Sequence, residues 1–566
     1  MSNITYRKSI REDIPSINDL FIEMVKTVNA RMERGGVNPY TDFEQGFEPG
    51  YLDNFYINDD RLIYVAEDEG KVIGFLSVIN KKNLQTIYLD DYCVNDSYRG
   101  QGIGSQLMNM SFEFAKNQGY DQVITHVESA NTESIEFYLK KGFKIVQEQG
   151  HRLLIRRVDN HLSEEKQNEL KENNNKILSK ILDKIKNEYA DKVDIVAIGG
   201  SFCSGLYHEK SDFDAVIIAN DEVDDLSKCF ILHGIGQDIY YSFWDRFEHM
   251  AEYEDMFSTK LKNLDIVYYR NEEVLNKYKQ LQDRLDKNMN DSEKNEKTID
   301  KYLDSIISKK NSINKLEKLN DLYKLVGSLM NDIENILFIN NKLYLFGGTK
   351  NILTEIYFMA NIPDNFINEY EKILDLNNIS DIKNWTNSIV SLLLNYFNKE
   401  DNSEVMYEVK DDKAVKEDIS RNALVGTYEE LYSNYYNKLL NAAKTNNKYL
   451  SFRTMIDAQG FFDEFTNQFN LLENYNPNSL MDNVNAFMVL LSKWKTLYNQ
   501  FQIDVEEYSS IEELYNNDLN KKIKSHIWQF KDKWYTKNVQ KVKTSHLSLN
   551  RPELAYSTSC YQSKKQ

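Results

Sequence analysis

Asp212 and Asp214 flank a single residue in the run Ser211, Asp212, Phe213, Asp214, Ala215, Val216, Ile217, Ile218. In a strand, residues i and i+2 project from the same face, so the two carboxylates stand side by side and repel unless a cation lies between them. Mg²⁺ is the usual hard cation for oxygen ligands beside a phosphate. Upstream, an apolar stretch from Val193 to Ile198 runs into Gly199, Gly200 and Ser201. Such a turn bares backbone N–H groups that hold phosphate oxygens. A phosphate cradle beside paired metal carboxylates is the equipment for nucleotidyl transfer to a hydroxyl.

A second constellation lies nearer the start. Arg99, Gly100, Gln101, Gly102, Ile103 and Gly104 have the spacing R-x-x-G-x-G, between a strand ending near Val94 and a helix beginning around Gly102. Glycines let backbone N–H groups approach a pyrophosphate, and the helix N-terminus adds partial positive charge. A dinucleotide fingerprint would instead place G-x-G-x-x-G directly after the strand. Further on, a strand over Gln122–Val127 precedes Asn131, then Phe137, Tyr138, Gly142 and Phe143.

These residues carry two resemblances. Residues 2–157 closely resemble the GNAT family of N-acetyltransferases, through R-x-x-G-x-G followed by N-x-x-x-x-x-F-Y-x-x-x-G-F. That resemblance implies acetyl-CoA as cofactor, with its pyrophosphate on Arg99–Gly104 and its pantetheine arm aligned by main-chain groups around Cys93 and Val94. Asn131 would face the cofactor, and Tyr138 would protonate the departing thiolate as general acid; a packed helix aromatic is the other reading of Tyr138. The family often has alanine where Ile135 stands. The Gly-Gly-Ser turn with Asp212 and Asp214 is similar to the polymerase-β-like nucleotidyltransferases. It implies two Mg²⁺ ions, a nucleoside triphosphate (ATP first among them) and a third carboxylate on a neighbouring strand. Asp238 and Asp265 are both candidates, and chain order favours Asp238.

The acceptor amine must be neutral and held beside the thioester carbonyl. Asp90 and Asp91 lie on the strand before the glycine turn, where alternation allows at most one of them to line the cleft. Asp91 is taken as the catalytic candidate. Asp42, Glu44 and Glu48 offer an acidic lip, or only a solvated loop.

The elements that must hold these groups read as follows. A helix runs to about Met32, with Ile17, Leu20, Phe21, Met24 and Val25 at helical spacing, and a loop covers Gly35–Asp59. A hairpin spans Leu62 to Val78. Another helix is expected near Val223–Leu232, before a strand carrying Asp238. From about Arg284 long helices take over: Leu319, Leu322, Val326, Leu329, Ile333 and Ile336 step by threes and fours, a buried stripe. Tyr344 and Lys350 sit in a turn that is either a surface feature or part of an acceptor pocket. The expected architecture is multidomain α/β and α. It comprises a GNAT α+β domain (1–157), a charged linker (158–175), an α/β nucleotidyltransferase domain (176–285), a helical domain packed on it (286–399), and a second helical region with a polar tail (400–566). Glu400–Asp418 is acidic and poor in large apolar residues, and reads as a mobile connection.

At 566 residues a single core is excluded, while 41% hydrophobic and 12% aromatic residues are ample for folded domains. The net charge of −19 opposes general binding to nucleic-acid backbones and suits a cationic small-molecule substrate. No run of about 18 apolar residues marks a membrane span, and no signal-peptide h-region is evident. The four cysteines are scattered without metal spacing, which fits a reducing cytoplasm. Oligomeric state is left open. A substrate bearing both amines and hydroxyls would unite the two chemistries, and aminoglycosides are such molecules. Modification of a protein or tRNA, and a domain reduced to sensing nucleotide or CoA, are the rival readings.

Overall fold

The computed structural model describes residues 4–223, 226–401, 405–407, 421–466, 468–511 and 513–514. The N-terminal part is built on strands β1 (Thr5–Lys8), β2 (Arg61–Asp68), β3 (Lys71–Lys81), β4 (Thr86–Val94), β5 (Gln122–Glu128), β6 (Lys144–Gln149) and β7 (Arg152–Val158). They form a seven-stranded sheet in the order β1-β2-β3-β4-β5-β7-β6, antiparallel except for β4 and β5. Helices α1 (Ile14–Arg34) and α2 (Asn54–Ile57) cover one face, and α3 (Ile103–Gln118) and α4 (Thr132–Lys140) the other. The parallel pairing stops at Tyr88 and Ile124, while β5 continues along β7 to Glu128. The second half of β4 therefore has no partner on the β5 side, and the sheet opens into a wedge.

The charged stretch taken for a linker is largely helix. Ser163 caps α5 (Glu164–Glu188) through its side chain, and Leu170, Ile177, Ile181 and Ile185 bury one face. The second sheet contains β8 (Val193–Ile198), β9 (Ala215–Ala219), β10 (Lys228–Leu232), β11 (Ile235–Phe243), β12 (Asp265–Tyr269) and β13 (Glu507–Tyr508), ordered β12-β8-β9-β11-β10-β13. The short helix α6 (Gly200–Ser204) follows β8. Among the described residues no α-helix occupies Val223–Leu232. Cys229–Leu232 is an unbroken apolar run that pairs antiparallel with β11 and is buried on both faces, which favours a strand.

Helices over Ser292–Ile313, Leu319–Asn340, Ile379–Tyr396, Lys448–Phe465 and Leu480–Gln500 share one buried cluster. No separate core divides them at residue 400, and the chain then returns to add β13 to the edge of the second sheet. Leu322, Val326, Leu329, Ile333 and Ile336 are fully buried. Most of Glu400–Asp418 and the polar tail lie outside the described residues. No helix among the described residues is long and apolar enough to cross a membrane.

Inside this helical core, Glu334 is fully buried and accepts hydrogen bonds from Tyr370 (2.6 Å), Tyr449 and Arg453 (3.4 Å). Removing one partner of such a pair strands a charge in a dry interior. Arg453→Met is therefore expected to cost about 3–5 kcal/mol, read as a lower denaturant midpoint at unchanged slope. Tyr370→Phe, which deletes a single hydrogen bond, should cost about 1 kcal/mol.

Candidate functional sites

The wedge between β4 and β5 is flanked by the glycine turn. Gly100 and Gly102 have left-handed φ of 77° and 84°, with nothing within 4 Å of where a Cβ would stand, so the turn is open to a ligand. Gly104 is demanded for another reason. A Cβ there would lie 1.5 Å from the Tyr92 hydroxyl oxygen. Ile103 buries its side chain and anchors the first turn of α3, while Gln101 is exposed. Arg99 donates to the Val94 carbonyl at 3.2 Å and pairs with Asp96 at 2.7 Å. The Cys93 thiol points the other way, into the α1 side, where burial raises its pKa to about 12 and it reaches the Leu20 carbonyl at 3.4 Å. The Cys93 side chain therefore packs on the α1 side of the sheet.

Asn131 caps α4. Its side-chain oxygen accepts from Ser134 N–H at 3.4 Å and from Arg31, and the residue is 7% exposed. Tyr138, one helix position beyond Phe137, is buried, and its hydroxyl hydrogen-bonds Thr125. Thr125 in turn donates to the Leu89 carbonyl at 2.7 Å, across the point where the strands part. Burial raises the Tyr138 pKa, with Tyr88 and Asp91 adding to the effect. The phenol stays protonated at neutral pH.

The strand alternation expected at Asp90 and Asp91 is broken. The β3–β4 register passes from Leu76 opposite Tyr92 to Val78 opposite Leu89, a bulge that sets both aspartates against Ser77. An inserted residue breaks the period of two. Both carboxyls lie near Tyr51 and Tyr88. Tyr51 donates to Asp90, and Asp91 N–H donates to Ser77 Oγ at 2.8 Å. Burial, then repulsion from Asp90, holds the Asp91 pKa well above the ordinary value. Asp42, Glu44 and Glu48 are exposed. The nearer acidic group is Glu128, which accepts from Tyr40 and pairs with Arg152 at 3.5 Å. Sequence spacing gave no signal for Tyr40, Tyr51 or Glu128, because loop and strand meet only in the fold.

In the second domain, Gly199 N–H donates to the Asp214 carbonyl at 3.0 Å, tying the glycine turn to the aspartate run. Gly200 has φ of 63°, and a Cβ there would lie 1.6 Å from Asp214 Oδ2. Ser201 Oγ is buried and has no hydrogen-bond partner. Asp212 and Asp214 immediately precede β9 rather than lying within it. Burial, then Asp214, raises the Asp212 pKa to about 7; Asp238 also raises it and Lys438 lowers it. Asp238 sits on β11, where Ile239 pairs with Ala215, so it runs alongside Asp214. Its Oδ1 accepts from the Cys229 thiol at 3.3 Å. Asp265 begins β12, two strands from β9, is exposed and accepts from the Cys203 thiol at 3.5 Å. Among the described residues no three His, Cys, Asp or Glu side chains converge in metal-holding geometry. The orphaned Ser201 hydroxyl, the cradle at Gly200 and the adjoining carboxylates nonetheless suit a phosphate-bound divalent cation.

Lys350 belongs to this site rather than to a surface turn. Its Nζ donates to the Leu206 carbonyl at 2.5 Å. Burial lowers its pKa to about 8, opposed by Asp121, Asp212 and Asp214. Tyr344 donates to Asn263 Oδ1 at 3.2 Å, away from the carboxylates.

The glycine turn and the aspartate pair fall within two regions that match family models. Residues 34–143 match the acetyltransferase (GNAT) family and residues 178–311 the nucleotidyltransferase domain. Among curated proteins, the chain is 25% identical over 145 residues to an uncharacterized N-acetyltransferase of Methanocaldococcus jannaschii, covering 25% of this chain and 60% of that one. It is 30% identical over 105 residues to N-acetyltransferase 8B of Homo sapiens, covering 17% and 45%. The chain spans about half the length of the curated relatives it matches. Among solved structures, an N-acetyltransferase from Staphylococcus aureus Mu50 aligns at 24% identity and a TM-score of 0.22, over 27% of this chain and 96% of that one. The PaiA N-acetyltransferase of Thermoplasma acidophilum, solved with coenzyme A, aligns at 18% identity and a TM-score of 0.22, over 28% and 99%. This chain joins a GNAT-family acetyltransferase domain to a nucleotidyltransferase domain.

Proposed function

We propose that the protein is a bifunctional transferase: it acetylates an amine with acetyl-CoA and transfers a nucleotidyl group from a Mg²⁺-bound nucleoside triphosphate, ATP first, to a hydroxyl. The reading rests on one observation above all. Each domain presents a glycine turn together with a pair of crowded carboxylates, and the two sites lie on one chain.

In the acetyltransferase site, Arg99–Gly104 would bind the cofactor's pyrophosphate at the start of α3. Asp90 and Asp91 would draw in a cationic amine, whose charge relieves their repulsion. Tyr138 keeps its proton and would give it to the departing thiolate. In the nucleotidyl site, Asp212 and Asp214 would hold the metal, with Asp238 the supporting carboxylate. A bound Mg²⁺ would supply charge neutralisation on the phosphates and lower the pKa of the acceptor hydroxyl. Gly200 and Ser201 would cradle the phosphates, and Lys350 would add a cation on the opposite wall. The acidic chain and two carboxylate-lined sites suit a cationic small molecule bearing both amines and hydroxyls, an aminoglycoside being the substrate class to test first. A reducing, cytoplasmic setting is consistent with the scattered cysteines.

Mass spectrometry of kanamycin or streptomycin incubated with the protein should show one added acetyl group with acetyl-CoA and one added nucleoside monophosphate with Mg-ATP. No mass change with either donor would reject this substrate class. Tyr138→Phe should lower kcat for acetyl transfer by about 10²–10⁴ while leaving KM for acetyl-CoA near its original value, followed by thiol release. Gly200→Ala, which sets a methyl against Asp214, should abolish nucleotidyl transfer and spare acetyl transfer. Chelation with EDTA should divide the two activities in the same way.

A further inference from the structure

The loop Phe346, Gly347, Gly348, Thr349, Lys350, Asn351 belongs to the helical domain, yet both its ends rest on the acetyltransferase sheet. At one end the Arg156 guanidinium of β7 stands 5.2 Å from the centre of the Phe346 ring. At the other, Gln122 Nε2 of β5 donates to Asn351 Oδ1 at 3.1 Å, between residues that are 7% and 5% exposed. Gln122 pairs with Val158, and Ile124 with Arg156. Gln122 and Arg156 therefore lie diagonally on one face of two adjacent strands, and the loop crosses that face.

Within the loop the backbone is fixed from both sides. Glu355 accepts from Phe346 N–H at 3.0 Å and Gly347 N–H at 2.6 Å, and Asn351 Nδ2 donates to the Gly347 carbonyl at 2.7 Å. Gly348 turns at φ of 71° with open space around it. The residue presented from this frame is Lys350, whose Nζ meets Leu206 of the nucleotidyltransferase domain at 2.5 Å, within the electrostatic reach of Asp212 and Asp214. Leu206 is held in turn: Asn160, just past β7, donates to the carbonyls of Tyr207 at 2.7 Å and Gly205 at 3.5 Å. Both the lysine and the carbonyl it contacts are thus located by the acetyltransferase sheet and the segment just past β7.

We infer that the acetyltransferase domain is a working part of the nucleotidyl site: through the buried Gln122–Asn351 hydrogen bond it positions Lys350 to bind the phosphates of an incoming Mg-nucleoside triphosphate. The inference rests on reading the second domain as a nucleotide site. An ammonium group carries three donors, of which Leu206 takes one. Once a metal satisfies the aspartates, the remaining donors face triphosphate oxygens, for which lysine is a strong point-charge partner. Gln122 and Asn351 touch no nucleotide. They are positioning residues that act through Lys350.

The test is calorimetric titration of the full chain with Mg-ATP, and with the other three Mg-nucleoside triphosphates, with acetyl-CoA titrated in parallel. Lys350→Ala should weaken binding of the preferred triphosphate about tenfold or more, and Lys350→Arg should restore most of it. Gln122→Ala should weaken it about threefold to tenfold, the worth of one buried hydrogen bond, with acetyl-CoA affinity unchanged. Added to Lys350→Ala, Gln122→Ala should have no further effect, because the two act on one contact. Should Gln122→Ala impair acetyl-CoA binding, Asn351→Ala removes the same bond from the other side. The inference is overturned if Gln122→Ala and Asn351→Ala leave triphosphate affinity intact. It is equally overturned if their effect persists unchanged in the Lys350→Ala background, which marks a general structural loss. Failure of the parent chain to bind any Mg-nucleoside triphosphate would overturn the nucleotide reading itself, a different result from unchanged affinity in the variants.

Discussion

The arrangement depends on two buried charges that feel each other across a domain boundary without an ion pair or hydrogen bond joining them. Arg156 of the acetyltransferase sheet and Glu355 of the helical domain are both almost inaccessible, and each stabilises the other's charged form against burial. Two Arg156 nitrogens, Nε and Nη1, have no hydrogen-bond partner, so Glu355 is the nearby charge that offsets its desolvation. Leaving either charge buried without the other is expensive. The consequence here is geometric. Glu355 also organises the backbone of Phe346 and Gly347, and Phe358, three residues on, stacks on Tyr88 at 5.3 Å and accepts from Gln149 at 2.9 Å. One short segment therefore touches the acetyltransferase sheet near its acceptor side and the nucleotidyltransferase loop near its aspartates.

The two sites solve the same electrostatic problem in the same way. Each crowds two carboxylates where burial and mutual repulsion disfavour the doubly ionised state, and each carries a glycine turn. Such a pair has high affinity for any cation that can enter. At Asp90 and Asp91 the entrant is read as a substrate ammonium; at Asp212 and Asp214, as a metal carried with phosphate. The glycines are fixed by contact as much as by torsion. Gly104 yields to the Tyr92 hydroxyl and Gly200 to the Asp214 carboxylate.

Much of this was legible in the sequence because it is local. The strand–turn–helix around Arg99–Gly104 and the turn before Asp212 announce themselves by spacing, and the stripe from Leu322 to Ile336 by its period. What spacing could not reveal was non-local. The bulge at Asp90 and Asp91 arises from pairing with Ser77, so alternation along β4 misleads. The strand at Cys229–Leu232 exists because β11 and β13 pair with it, where local pattern read as helix. Ser163 and Leu170 were hidden within a charged stretch, whereas Ile177, Ile181 and Ile185 step at helical spacing and mark the second half of α5. Lys350 in a glycine-rich turn looked more like surface than pocket, since nothing nearby in sequence foretells Leu206 and Asp212.

The central claim is that two independent donor sites coexist on one chain. Its most direct measurement is the binding stoichiometry of acetyl-CoA and a Mg-nucleoside triphosphate, each titrated into protein already saturated with the other. The account predicts one equivalent of each, bound together. Displacement of one donor by the other, or saturation by only one of them, would contradict it.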